Sequence, residues 1–358
     1  MPVRVSVVIP TYKSAQWVEA TLESVIGQTY PADLIEIIVV DDKSPDDSVG
    51  VASRILEKHA PGRSRVVAHQ QNRGAGANRN SGWRLATGDW IQFLDADDLL
   101  APHKIQLQAE AAARAADDVA VVTSNWQHYE DVDGAWQPTG PINAPFVDDA
   151  PLERILNDLN FGYVGPTLIR KSFIEKVNGF VEEPNLGEDC DLMLRIAMSG
   201  GGFQAAPSPT AAFLYRQWPN SLWRNYIMNV VAMRNTLHTF HRVEEFLRAN
   251  DPRGQVSAAA RIGLAKRYSR WHHFFRERDP ESFASLTRWL RGLGYHCPLG
   301  TRWPTWWLSL VVGYDHAVRI RTGARKQWNR ALASLAAPMV WSTWLVLADW
   351  SVLADALV

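Results

Sequence analysis

Cysteine is nearly absent from this chain of 358 residues. Two residues, Cys190 and Cys297, cannot build a disulfide framework, and neither sits in a zinc-type ligand cluster. The first apolar run, residues 5–9, is far too short for a signal peptide and runs straight into turn residues. A reducing cytoplasm is therefore the expected location. No charge sign dominates, with 37 Lys and Arg against 38 Asp and Glu. An apolar content of 46% and a charged content of 21% exclude a disordered chain. Repeats and low-complexity tracts are missing as well.

What is present is unevenly spread. Residues 1–215 carry 17 basic and 29 acidic side chains, whereas residues 216–330 carry 20 basic and 7 acidic. Eleven of the 16 tryptophans lie beyond residue 215. A basic, tryptophan-rich second half suits an anionic phosphate surface that also accepts indole rings.

The first half alternates. Short β-branched runs at 5–9, 35–40, 64–68, 90–94 and 119–123 are separated by helix-like stretches around 15–27, 48–59, 75–86 and 102–116. This pattern predicts an α/β sandwich around a mostly parallel sheet, with ligands beyond the carboxyl ends of the strands. Those ends carry functional groups: Pro10-Thr11-Tyr12, then Asp41-Asp42, then Asp95-Ala96-Asp97-Asp98. From about 216 the stretches 221–248, 254–278 and 280–291 read as helices, broken at Asp251-Pro252 and Asp279-Pro280. The expected divisions are 1–217, 218–300 and 301–358.

Asp95 and Asp97 follow a buried strand, and in an extended chain they point to one side. Two like charges about 4 Å apart cost roughly 4 kcal/mol at an effective dielectric of 20. A divalent cation removes that cost, and oxygen ligands suit Mg²⁺ or Mn²⁺. Such a pair is a weak motif alone; an acidic surface loop is commoner. Its place at a strand end, in register with Asp41-Asp42, makes it strong. Asp42 is placed to accept hydrogen bonds from a base or ribose, although Asp and Ser also favour helix caps, a role expected of Asp46 or Ser44. Residues 72–80, with Arg73, Gly74, Gly76 and Arg79, open a helix whose N-terminus suits an anion. Their spacing fails the dinucleotide fingerprint. Asp189, in the cluster Gly187-Glu188-Asp189-Cys190-Asp191, is a candidate general base at a helix start. Helix-dipole complementarity is the plainer reading of those acids. Tyr215, Arg216 and Ser221 are placed to close over a phosphate group.

These motifs together resemble glycosyltransferase family 2, the inverting enzymes of GT-A fold. The resemblance rests on Val5-Ser6-Val7-Val8-Ile9-Pro10-Thr11-Tyr12, on Ile37-Ile38-Val39-Val40-Asp41-Asp42-Lys43-Ser44, and on residues 72–80, 93–98 and 187–192. It covers roughly residues 3–216 and implies specific roles. Thr11 and Tyr12, with Pro10 before them and Glu19 nearby, would line a nucleotide pocket, and Asp42 would contact the base, usually uracil. Arg79 would lie near the donor. Asp95 and Asp97 would form the D-x-D metal element, with Asp97 the direct ligand, and Asp189 would be the catalytic base. The implied reaction moves a sugar from a nucleotide-sugar, most often a UDP-sugar, to a glycan or lipid-linked acceptor with Mn²⁺ or Mg²⁺. Lys13 and Lys43 depart from the Asn and Gly often found there, and Trp218 stands where a Y-R-x-H pattern ends in His. A nucleotidyltransferase usually carries a glycine-rich loop after its first strand; Pro10-Thr11-Tyr12-Lys13 has no glycine. An inactive nucleotide-sugar binder would not need every acid in this order.

Trp303, Trp306, Trp307, Leu310, Tyr314, Ala317 and Val318 recur at helical spacing, followed by five basic residues up to Arg330. This make-up fits a helix lying in a membrane interface. Residues 338–358 are mostly apolar but carry Asp349 and Asp355, which disfavours a lone transmembrane span. The expectation is peripheral attachment to the inner face of the cell membrane, with a helical subdomain or a dimer contact as the alternative. Absence of liposome binding would exclude it. Nucleic acid is not expected as a partner, because the tryptophan pattern is helical whereas stacking platforms usually lie on sheets.

Overall fold

Val- and Ile-rich runs form β1 (Val5–Thr11) and β2 (Ile35–Asp41), and shorter mixed runs form β3 (Ser64–Ala68), partly exposed at the sheet edge, and β4 (Trp90–Phe93), buried throughout. The crossovers between them are α1 (Val18–Ile26), α2 (Ser48–His59) and α3 (Ala75–Leu85). The chain continues through β5 (Leu99–Leu100), α4 (Lys104–Ala113), β6 (Val119–Ser124), β7 (Trp126–Val132), β8 (Ala135–Asn143) and α5 (Pro151–Asn157). Then come β9 (Thr167–Arg170), α6 (Lys171–Lys176), α7 (Glu188–Met198), β10 (Gly202–Ala206) and β11 (Phe213–Gln217). Three longer helices follow: α8 (Val230–Asn250), α9 (Ala258–Arg278) and α10 (Pro280–Gly292). The structure, a computed structural model, describes residues 2–145, 150–157, 163–183, 185, 187–218 and 229–295. Ser221, the tryptophan stripe of 303–318 and the apolar segment 338–358 lie outside the described residues.

The central sheet has seven strands in the order β10-β6-β9-β4-β1-β2-β3. β9 runs antiparallel to both neighbours, and the other pairs are parallel, so the expected mostly parallel sheet is present. Ile37, Ile38, Val39 and Val40 of β2 are fully buried, as strands covered on both faces require. Helix α3 lies close on β1 because position 82 is glycine. A Cβ there would stand 2.2 Å from Val8 Cγ1. A second sheet, β5-β11-β7-β8, flanks the acidic turn after β4.

By contact the chain divides into Met1–Trp289 and Leu290–Val358. Within the first unit α8 braces α7. Thr239 Oγ1 (2.8 Å) and Arg242 Nη2 (3.0 Å) both donate to the buried Asp191 Oδ1. Helix α9 packs on α5, where a Cβ at Gly263 would lie 2.7 Å from Leu156 Cβ. No described helix is long and apolar enough to cross a membrane.

Candidate active site

The loops after β1 and β2 are laced together by side chains of the second. Ser44 Oγ accepts from Lys13 N (3.0 Å), Ser48 Oγ from Ser14 N (2.9 Å) and Asp46 Oδ2 from Ala15 N (3.1 Å). Asp46 also accepts from Ser48 N, but the N-cap position of α2 is Asp47 and no side chain caps the helix, so neither Asp46 nor Ser44 takes the expected capping role; both are used across the loops. The backbone bends sharply at two non-glycine residues of this region, Lys13 (φ 53°) and Lys43 (φ 60°). Each left-handed lysine costs about 1–2 kcal/mol. These are the two positions where the resembled family often has Asn and Gly.

Asp42, 2% exposed, commits one carboxylate oxygen to each of two backbone amides: Oδ1 to Arg73 N and Oδ2 to Gly74 N, both at 2.7 Å. It thereby anchors the loop that opens α3. Thr11 is buried at the end of β1, Pro10 and Tyr12 flank it at intermediate exposure, and Glu19 is exposed on α1.

In the second turn of α3, Arg79 collects the acids. Its side chain is 4% exposed. Nη2 donates to Asp95 Oδ1 (2.8 Å), Nη1 donates to Glu188 Oε1 (3.0 Å), and Nη1 lies 3.3 Å from Asp189 Oδ1. Burial works against the guanidinium charge, but Asp189, Asp95 and Glu188 together hold it protonated above its ordinary range. Burial, helped by Glu188 and Asp95, lifts the Asp189 pKa to about 7, against the pull of Arg79. Val164 N–H donates to Asp189 Oδ2 at 3.2 Å.

The acidic run after β4 is a turn, closed by Asp98 N donating to Asp95 O (3.0 Å). The extended geometry expected from the sequence is not the one adopted, because the chain must reverse to enter β5. The three acids therefore diverge. Asp95 faces Arg79, Asp97 Oδ2 accepts from Trp218 Nε1 (2.9 Å), and the buried Asp98 Oδ1 accepts from Arg216 N (2.8 Å). Burial first and Asp95 second raise the Asp97 pKa to about 6. Burial with Asp97 and Asp95 holds that of Asp98 well above the ordinary carboxylate range. Arg216, expected to reach phosphates, is 6% exposed, with its guanidinium 4.4 Å from the Trp17 ring centre and 4.8 Å from that of Trp136. These rings hold it as a cation–π core under the acidic turn.

Among the described residues no group of three His, Cys, Asp or Glu side chains could enclose a metal ion. Asp95 and Asp97 nevertheless offer oxygen donors of the kind a hard divalent cation takes, although here Asp95 is turned to Arg79 and Asp97 to Trp218. Mg²⁺-type sites take one or two carboxylates and draw the remaining ligands from water and substrate phosphates.

Beyond Asp189, Tyr163 is 40% exposed and stacks on Tyr215, with ring centres 5.6 Å apart at 28°. This offers an aromatic face beside Asp189. Neither tyrosine stack nor Val164 stood out in the sequence, the latter because it acts through its backbone.

A mostly parallel sheet with acids at the ends of β2 and β4, and a small second sheet beside the acidic turn, defines the GT-A fold of nucleotide-sugar transferases. Solved structures share it. One is S. aureus TarS in complex with UDP-GlcNAc, at TM-score 0.58 and 18% identity over 81% of each chain. Another is mannosyltransferase PcManGT from Pyrobaculum calidifontis in complex with GDP-Man and Mn²⁺, at TM-score 0.52 and 19% identity over 91% of this chain and 80% of that one. The model of glycosyl transferase family 2 matches residues 6–177, and the chain carries a domain of that family. The succinoglycan biosynthesis protein ExoO of Rhizobium meliloti is 30% identical over 228 residues, 62% of this chain and 62% of that protein. The chain thus spans less than two thirds of that relative's length.

Proposed function

We propose that this protein is an inverting glycosyltransferase that moves a sugar from a nucleotide-sugar donor, a UDP-sugar first, to a hydroxyl of a glycan or lipid-linked glycan. One observation carries the reading: Arg79 gathers Asp95, Glu188 and Asp189 at one rim, with the Asp189 pKa lifted to about 7. That value suits a general base near neutrality. In this reading Asp189 takes the proton from the acceptor hydroxyl. The oxygen then attacks the anomeric carbon from the face opposite the diphosphate, and the bond to the diphosphate breaks in the same displacement. Asp97 and Asp95 would hold Mn²⁺ or Mg²⁺, which when bound stabilises charge on the leaving nucleoside diphosphate. Pro10, Thr11, Tyr12, Glu19 and Asp42 remain the proposed nucleotide side. There Asp42 acts through the Arg73–Gly74 loop it anchors, and Glu19 is the least supported. The names of the relatives, a succinoglycan biosynthesis protein and a mannosyltransferase, agree with glycan synthesis.

The base must be deprotonated to act, so kcat/KM is expected to rise about tenfold per pH unit below about 7 and to level off above it. EDTA is expected to abolish transfer and Mn²⁺ to restore it. A rate flat from pH 5 to 8 would remove Asp189 from the reaction, and activity surviving full chelation would remove the metal. Donor binding without turnover would favour an inactive binding protein.

A further inference from the structure

Lys104, at the start of α4, is fully buried with no carboxylate partner among the described residues. Burial drives its pKa well below the ordinary lysine range. An apolar residue would avoid the cost of burying an amine, so the polar group needs a reason. Its Nζ donates to Gln92 Oε1 in the middle of β4. Gln92 is also fully buried, and its Nε2 donates to Gly165 O at 2.8 Å.

Gly165 belongs to a turn, residues 164–167, whose carbonyls are all held. Val164 O accepts from Thr167 N (3.0 Å) and Thr167 Oγ1 (2.7 Å). Pro166 O accepts from Ser124 N and Oγ (both 2.9 Å) and from Gln108 Nε2 (3.0 Å). The turn has no slack on its other side: a Cβ at Gly165 would lie 2.3 Å from Phe213 Cζ. What this pinned turn presents is Val164 N–H, 3.2 Å from Asp189 Oδ2.

We propose that Gln92, backed by Lys104, is a positioning residue for Asp189. By holding Gly165 O it fixes the turn whose Val164 N–H orients the carboxylate. The proposal rests on the reading of Asp189 as the base. Gln92→Glu is the sharpest variant. Its carboxylate still accepts from Lys104, yet it cannot donate to Gly165 O, so the turn loses its side-chain anchor at Gly165 while the buried amine keeps a partner. Arg79, Glu188 and Asp95, the charged groups that face Asp189, are untouched. A hydrogen bond to the charged form lowers a carboxyl pKa, so weakening Val164 N–H raises it.

The test is the ¹³C titration of the Asp189 carboxyl in the full chain, assigned by its loss in Asp189→Asn, alongside melting curves. It needs no substrate. In Gln92→Glu the midpoint is expected to move up by roughly 0.5 to 1 pH unit, with the acid limb of kcat following. A folded variant whose Asp189 titrates as in the unsubstituted protein would overturn the proposal. Should Gln92→Glu not fold, Lys104→Met frees the Gln92 carboxamide without adding a charge and is expected to shift the midpoint the same way; no shift there also overturns it. Undiminished turnover in Asp189→Asn would instead sink the base reading alone, leaving the titration result standing as positional.

Discussion

Replacing Asp189 with asparagine is expected to leave nucleotide-sugar binding intact and to lower the rate of transfer by about 10²-fold or more. Asparagine keeps the size of the side chain and an oxygen for Val164 N–H, which donates to Oδ2 at 3.2 Å. It loses the basic site. The surroundings explain why this acid suits the task. Burial and the neighbouring Glu188 and Asp95 disfavour its charge, and Arg79 restores enough of it to place the pKa at about 7. Substituting Glu188, whose contact is an ion pair at the edge of the cluster, should cost far less. Steady-state kinetics of the two variants against one donor and acceptor pair separates the roles. An Asp189→Asn enzyme as fast as the unsubstituted one would end the assignment.

Arg79→Met is expected to cost roughly 1–3 kcal/mol of stability, because it leaves three partly exposed acids, 19–42% accessible, without their cation. At 4% exposure the guanidinium is the positive centre shared by Asp95, Glu188 and Asp189. Its removal lets three carboxylates repel one another where water screens them only in part. They are expected to answer by binding protons, so the acid limb of any remaining activity moves above its position near pH 7. The loss should therefore be largest at alkaline pH. With the folded pKa values of Asp97 and Asp189 already raised from 3.8 to about 6 and about 7, stability falls as pH rises through that window even before substitution. Arg79→Lys keeps the charge but cannot reach in two directions, and should fall between. Melting curves at pH 5 and pH 8 decide it: equal melting temperatures for Arg79→Met and the unsubstituted chain would show that the cluster is not held this way.

The strands and helices up to residue 123 could be read from the sequence because their signals agree. Val and Ile runs that are apolar on both faces can lie only between layers, and Asp, Ser, Pro and Gly mark where they stop. The second sheet could not. β7 and β8 carry Glu130, Asp131, Gln137 and Pro138, whose polarity hides the alternation of a half-exposed hairpin. β11 finds its partners β5 and β7 more than 80 residues away. Asp95, Asp97 and Asp189 were visible as acids at a strand end and a helix start. That one arginine joins two of them was not, since Arg79 and Asp189 are 110 positions apart and meet only once α7 is seated. Asp42 is legible as an acid at the end of β2, but its two backbone partners depend on how the loop before α3 folds back. Trp218 was legible only as a missing histidine; its hydrogen bond to Asp97 came from the structure.

Calorimetry of UDP-, GDP- and dTDP-sugars with Mn²⁺, on the unsubstituted chain and on Asp97→Asn, reaches the centre of the account. At least one donor should bind the former in a metal-dependent way, and its affinity should collapse in the latter. Failure of every nucleotide-sugar to bind, or equal binding by both proteins, would contradict a donor tied through a cation to the rim that Asp95 and Asp97 form.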